Sequence, residues 1–121
     1  MSNVRAIRGA TTADQNSEDS IIDATSELLL ELINSNNLND SDVISAFFTT
    51  TSDLNAQFPA VAARKIGWTD VALMCAHEIS VPNAQDRCIR VMIHINSNRS
   101  VDQINNVYLK EATNLRQHGS E

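Results

Sequence analysis

The stretch Cys88-Ile-Arg-Val-Met-Ile-His-Ile95 alternates without a break, with Ile89, Val91, Ile93 and Ile95 on one side and Cys88, Arg90, Met92 and His94 on the other. Successive side chains of an extended strand point to opposite faces, so this segment is a β-strand with one apolar face to cover. The other face carries Arg90 between Ile89 and Val91, in mid-strand. Burying a charge there is costly unless it is paired. Three readings stand open: an edge arginine with its head in water, a structural ion pair with a carboxylate such as Glu78, or an arginine held by rigid strand geometry toward an anion.

The neighbouring segments build a fold around that strand. Val4–Arg8 alternates and ends at Gly9, which predicts a short strand entering a turn, with Thr11–Asn16 as loop. Asn16 or Ser17 can cap a helix over 17–36, with Glu18 and Asp19 beside its positive end and an apolar stripe from Ile21 to Ile33. Asn34–Asn37 stops it. Val43–Thr50, rich in β-branched and aromatic residues, predicts a buried strand. Phe58-Pro59 opens a short helix through Lys65, ended by Gly67. Val71–Ile79 predicts another strand, broken by Pro82-Asn83. The capping-box pattern Ser100-Val-Asp-Gln103 predicts a further helix to about Ala112.

The expected class is therefore mixed α/β (α+β), a mixed sheet with packed helices in a single domain of 121 residues. Three Phe, one Trp and one Tyr make a thin core. Strands apolar on both faces then call for a partner, and we expect a homo-oligomer. The domain is expected over 1–115, with 116–121 as a mobile tail.

Charge and composition narrow the function. Nine Lys+Arg against 15 Asp+Glu give a net charge of −6, which argues against a nucleic-acid partner. No apolar run approaches the roughly 20 residues that span a bilayer, and the N-terminus lacks a signal-peptide core. Two cysteines suit a reducing compartment, so a cytoplasmic protein without membrane attachment is expected. Seven of the nine basic residues are Arg, whose planar fork binds carboxylates bidentately. An anionic ligand is one reading of that bias, but composition alone favours ordinary codon and surface bias.

Cys75-Ala-His-Glu78 lies near a strand end, where Cys75 and His77 share one face and Glu78 takes the other. A thiol nucleophile with a histidine base is conceivable, yet free cysteines are usually small buried hydrophobes. His77, His94 and His118 show no ligand spacing, so no metal is expected. Gly9, Gly67 and Gly119 are isolated, which leaves no phosphate loop and no expected cofactor. Tyr108 is expected in the last helix, as a core tyrosine.

Taken in order, several segments resemble the trimeric, barrel-like class of monofunctional chorismate mutases. They are Val4-Arg-Ala-Ile-Arg-Gly-Ala-Thr-Thr12, Asp53-Leu-Asn-Ala-Gln-Phe-Pro-Ala60, Ala63-Arg64, Gly67-Trp68, Cys75-Ala-His-Glu78, Cys88-Ile-Arg-Val91, Val107-Tyr-Leu109 and Leu115-Arg116. The resemblance implies a pseudo-α/β-barrel homotrimer with clefts between subunits, converting chorismate to prephenate on the route to phenylalanine and tyrosine. It implies Arg90 on the ether oxygen, Arg8 with Tyr108 on the side-chain carboxylate, and Glu78 with Cys75 on the ring hydroxyl. Phe58 and Leu115 would wall the pocket, while Arg64 and Arg116 would stand at its mouth. The sequence departs from the family at Val61, at Met74, in the Pro82–Asp86 turn and in a tail without proline. Two other functions remain as alternatives: a non-catalytic trimer that binds an anionic aromatic metabolite, and an imine- or enamine-hydrolysing trimer.

Overall fold

The alternating segment is the middle of the sheet. In the computed structural model, which describes residues 3–115, β4 (Cys88–Ser97) lies between β1 (Asn3–Thr12) and β2 (Val43–Thr50) and is antiparallel to both. β3 (Ala72–His77) extends the sheet in parallel beside β2, and β5 (Val107–Tyr108) does so beside β1, giving the order β3-β2-β4-β1-β5. The mixed sheet and single-domain α/β architecture follow the sequence reading.

One face of this sheet is the core. Ile7, Phe48, Val91, Ile93 and Ile95 pack under Leu28, Leu29 and Leu32 of α1 (Glu18–Asn36) and Ala62 and Ala63 of α2 (Ala60–Lys65). Each fully buried large aliphatic or aromatic side chain contributes roughly 1.5–3 kcal/mol, so the stripe on α1 holds the helix to the sheet. Ser17 caps α1, its Oγ accepting from the Ser20 N–H at 3.1 Å, and Asn37 closes it in the left-handed region at φ 50°. Gly67, at φ 106°, ends α2 as its sequence position predicts.

Three local expectations need correction. β1 does not turn at Gly9 but runs through it to Thr12, so Thr11 and Thr12 are buried strand residues. The glycine is needed because α1 presses on the strand there: a Cβ would lie 2.7 Å from Leu32 Cδ1 and 3.1 Å from Leu28 Cδ1. β2 is buried on one face only. Val43, Ala46 and Phe48 point into the core, whereas Phe47 is 42% exposed on the other side.

The predicted helix over 100–112 also does not form. Ser100 and Gln103 make their reciprocal capping bonds around one 3-10 turn (Val101–Gln103), and the chain then becomes extended. Asn36, buried at the end of α1, donates from its amide to the Asn105 carbonyl at 2.8 Å and accepts the Asn105 N–H at 2.9 Å. The Arg8 N–H donates to Asn106 Oδ1 at 2.8 Å. These long-range bonds take the backbone groups of Asn105 that a helix would use. β5 instead pairs Val107 with Gly9 and Tyr108 with Ala10. Tyr108 is therefore a strand residue. Arg5 and Arg87 each bond to backbone at the margin of the sheet. Arg5 Nε donates to the Arg99 carbonyl at 2.8 Å, and Arg87 Nη1 donates to the Asp14 carbonyl at 2.6 Å.

Asn83, in the turn before β4, adopts φ 67°, a conformation open to asparagine. Among the described residues, no helix is long and apolar enough to cross a membrane. The tail over 116–121, with Arg116 and His118, lies outside the described residues.

Candidate active site

The face of the sheet turned away from α1 and α2 carries several of the predicted residues. Strand alternation in β4 sends Arg90 to that face, and the register places Thr49 of β2 on one side of it and Ala10 of β1 on the other. Ala10 in turn pairs with Tyr108 of β5. Arg8, two residues before Ala10, therefore shares this face.

Glu78 reaches the same place from the far edge. Just past β3, its backbone N–H donates to the Thr50 carbonyl at 2.9 Å, which prolongs the pairing with β2. Cys75 packs against the core, and the Glu78 side chain takes the opposite face, as the alternation predicts. There it crosses toward Arg90. Arg90 Nε donates to Glu78 Oε2 at 2.8 Å and Arg90 Nη2 to Glu78 Oε1 at 2.7 Å, a bidentate fork. Thr49 Oγ1 donates to the same Oε2 at 2.7 Å. The two charged side chains are 30% and 16% exposed, so the pair is screened less than a surface ion pair.

Of the three readings open for Arg90, the edge arginine falls, because β4 is central. The ion pair with Glu78 exists. It also leaves the third reading standing, because Arg90 fronts a cleft of about 320 Å³ with Arg8, Phe47, Thr49, His94 and Tyr108. That volume suits a small organic ligand. A recess beside it joins Glu78, Cys88, Arg90 and Leu115.

The remaining predicted residues gather elsewhere. Phe58, Pro59, Cys75 and His77 line a second hollow of about 350 Å³ where the start of α2 meets β3. Arg64 stands close enough for its charge to act on Cys75. Phe58 is 66% exposed at this edge. A single chain thus brings Arg8, Glu78, Arg90, Tyr108 and Leu115 together around one region and sets Phe58, Arg64 and Cys75 around another.

Neither cysteine is tuned as a nucleophile. Burial pushes the Cys75 thiol above its ordinary value, although the Ala60 backbone N–H and Arg64 oppose the rise. Burial also raises Cys88 to about 12, with the nearby Glu78 carboxylate adding to the effect. Both therefore remain thiols at neutral pH, as the buried-hydrophobe reading expects. The sequence reading missed Phe47, Thr49, Met92 and His94 as lining of the Arg90 cleft. For Met92 and His94 the signal was the alternation of β4 itself; for Phe47 and Thr49 it was hidden by the continuous apolar run of β2.

The comparisons fit this geometry. The family model for chorismate mutase type I matches residues 4–118. This chain belongs to the chorismate mutase type I family. It is similar to the chorismate mutase AroH of Thermus thermophilus, with 42% identity over 114 residues covering 93% of each chain. It is 39% identical to the chorismate mutase AroH of Bacillus subtilis (strain 168), over 93% of this chain and 90% of that one. Among solved structures, a chorismate mutase from Clostridium thermocellum superposes with a TM-score of 0.89 at 50% identity, covering 90% of this chain and 97% of the other. The activity is accordingly that of an isomerase, chorismate mutase.

Proposed function

We propose that the cleft fronted by Arg90 is where this chain converts chorismate to prephenate. The observation carrying this reading is Arg90, locked by Glu78 on the central strand and facing a cleft it shares with Arg8. Chorismate carries two carboxylates and rearranges within one molecule, breaking a C–O bond as a C–C bond forms. No group has to be supplied or removed. Catalysis then consists of holding a compact reactive conformer and stabilising the charge that separates. The ether oxygen gains negative charge as its bond breaks, so a cation fixed beside it stabilises the transition state more than the ground state.

Arg90 takes that position. Arg8 pairs with the side-chain carboxylate, and Tyr108 adds a hydrogen bond to it. Glu78, bonded to Arg90, accepts from the ring hydroxyl rather than acting as a base. Leu115 walls the pocket, and the family resemblance assigns Arg116 to its mouth. The arginines focus a local positive field on a protein of net charge −6, which draws in a dianion.

The second cluster completes the site from a neighbouring subunit. We assign a homotrimer in which Phe58, Arg64 and Cys75 of one chain face Arg90 of the next. The separation of the two clusters within one chain supports this reading. So do apolar side chains left on accessible surface, Met74 and Phe58 among them. The free thiols of Cys75 and Cys88 suit a reducing cytoplasm.

Incubating the purified chain with chorismate alone tests the activity: its ultraviolet absorbance disappears and prephenate forms. Chorismate left unconverted by intact oligomers would leave the binder reading instead. Changing Cys75 to serine retains turnover within a few-fold, because a hydroxyl still donates and accepts a hydrogen bond. Steady-state rates on that variant check it, and abolished turnover would restore the thiol-nucleophile reading.

A further inference from the structure

Thr49 holds a place that the Arg90–Glu78 pair depends on. Glu78 follows β3 and Arg90 lies on β4, with β2 between them. Neighbouring strands are about 4.8 Å apart, so the two backbones stand roughly 10 Å from each other. Their side chains meet above β2, over the residue paired directly with Arg90, and that residue is Thr49. A longer side chain there would stand in the path of the carboxylate. The threonine hydroxyl is also a further donor to the pair, reaching the oxygen that Arg90 Nε already uses.

We propose that Thr49 is a positioning residue for the mutase reaction: its hydroxyl fixes the Glu78 carboxylate, and through it the angle of the Arg90 guanidinium. Two features make it suited to this. A β-branched side chain is stiff about χ1, so its hydroxyl direction is set by the strand. An ionised carboxylate has lone pairs for both donors on one oxygen, so Thr49 and Arg90 do not compete for it. Without the hydroxyl, Glu78 keeps its fork to Arg90 but loses a side-chain bond that ties its carboxylate to β2. The pair can then tilt over β2, and small displacements of a transition-state donor are costly to rate.

The inference rests on the chorismate reading, so turnover by the parent chain is measured first; no conversion there removes that reading rather than this one. Thr49→Val then keeps the shape and deletes the donor. The expected result is a kcat about tenfold lower with KM changed by less than about threefold, in line with loss of a hydrogen bond to a charged group. Thr49→Ser restores kcat to within about threefold. In a Glu78→Ala background, Thr49→Val changes kcat by less than about twofold, because nothing remains to be positioned. The proposal is overturned by a Thr49→Val rate within twofold of the parent. It is equally overturned by a serine variant as slow as the valine one, or by an undiminished loss in the Glu78→Ala background. If circular dichroism finds Thr49→Val unfolded, Thr49→Ala takes its place against Thr49→Ser, with the same outcomes deciding.

Discussion

Arg90→Gln lowers kcat for chorismate by at least the roughly 10²–10³ typical of one lost transition-state donor, while KM changes far less. Glutamine keeps a planar polar head on a similar stem but lacks the charge that the proposed role of Arg90 requires. The effect is expected on kcat because of how the arginine is held. Arg90 sits on the central strand, between β1 and β2, and its fork to Glu78 fixes its direction before any substrate arrives. A preorganised cation needs no reorganisation as charge develops, so its contribution is greatest at the transition state. The same change leaves the half-buried Glu78 without its cation, and a loss of thermal stability accompanies the loss of rate. Steady-state kinetics beside a melting curve separate the two effects. A kcat within a few-fold of the parent, from folded protein, would remove Arg90 from the electrostatic role.

Trp68→Ala is expected to cost about 3–5 kcal/mol of folding stability, a large part of the roughly 5–15 kcal/mol that holds a typical domain together. The indole is 1% exposed in the main core, and its Nε1 donates to Asp40 Oδ1 at 3.2 Å. It joins the turn before β2 to the end of α2. Gly67 delivers it by turning through the left-handed region. No other tryptophan and few aromatic residues are present to fill the cavity left behind. Trp68→Phe keeps most of the apolar volume and loses the hydrogen bond, so its cost is smaller. Denaturant unfolding of the two variants against the parent checks the order, and an alanine variant as stable as the parent would show that the core does not rest on this residue.

Much of the sheet was legible because β4 and α1 each satisfy one period over their whole length. The alternation from Cys88 to Ile95 placed Arg90 on one face of the sheet, and the stripe from Ile21 to Ile33 placed α1 on the other. Misreadings came where a local signal competed with a distant partner. The capping box at Ser100 is satisfied, yet Asn36 from the end of α1 takes the backbone of Asn105 and draws the following residues into β5. Gly9 reads as a turn because nothing nearby in sequence announces Leu28 and Leu32 pressing upon it. Phe47 and Phe48 are alike in sequence, and only the register of β2 against β4 sends Phe48 to the core and Phe47 to the open face.

The site divides in the same way. Residue type and order along the chain carried the resemblance to the chorismate mutases and, with it, the roles expected of Arg8, Glu78 and Arg90. The sequence alone also determined which face of β4 an arginine could occupy, because alternation is a property of the extended backbone. What only the tertiary structure decided is the company that arginine keeps. Glu78, twelve residues earlier, meets it because β2 enters the sheet between β3 and β4, and Thr49 lies beneath their contact through pairing with a strand far along the chain. Tyr108 joins because Asn36 steers β5 alongside β1. Strand order and register arise from burying whole faces at once, so no local window of sequence contains them.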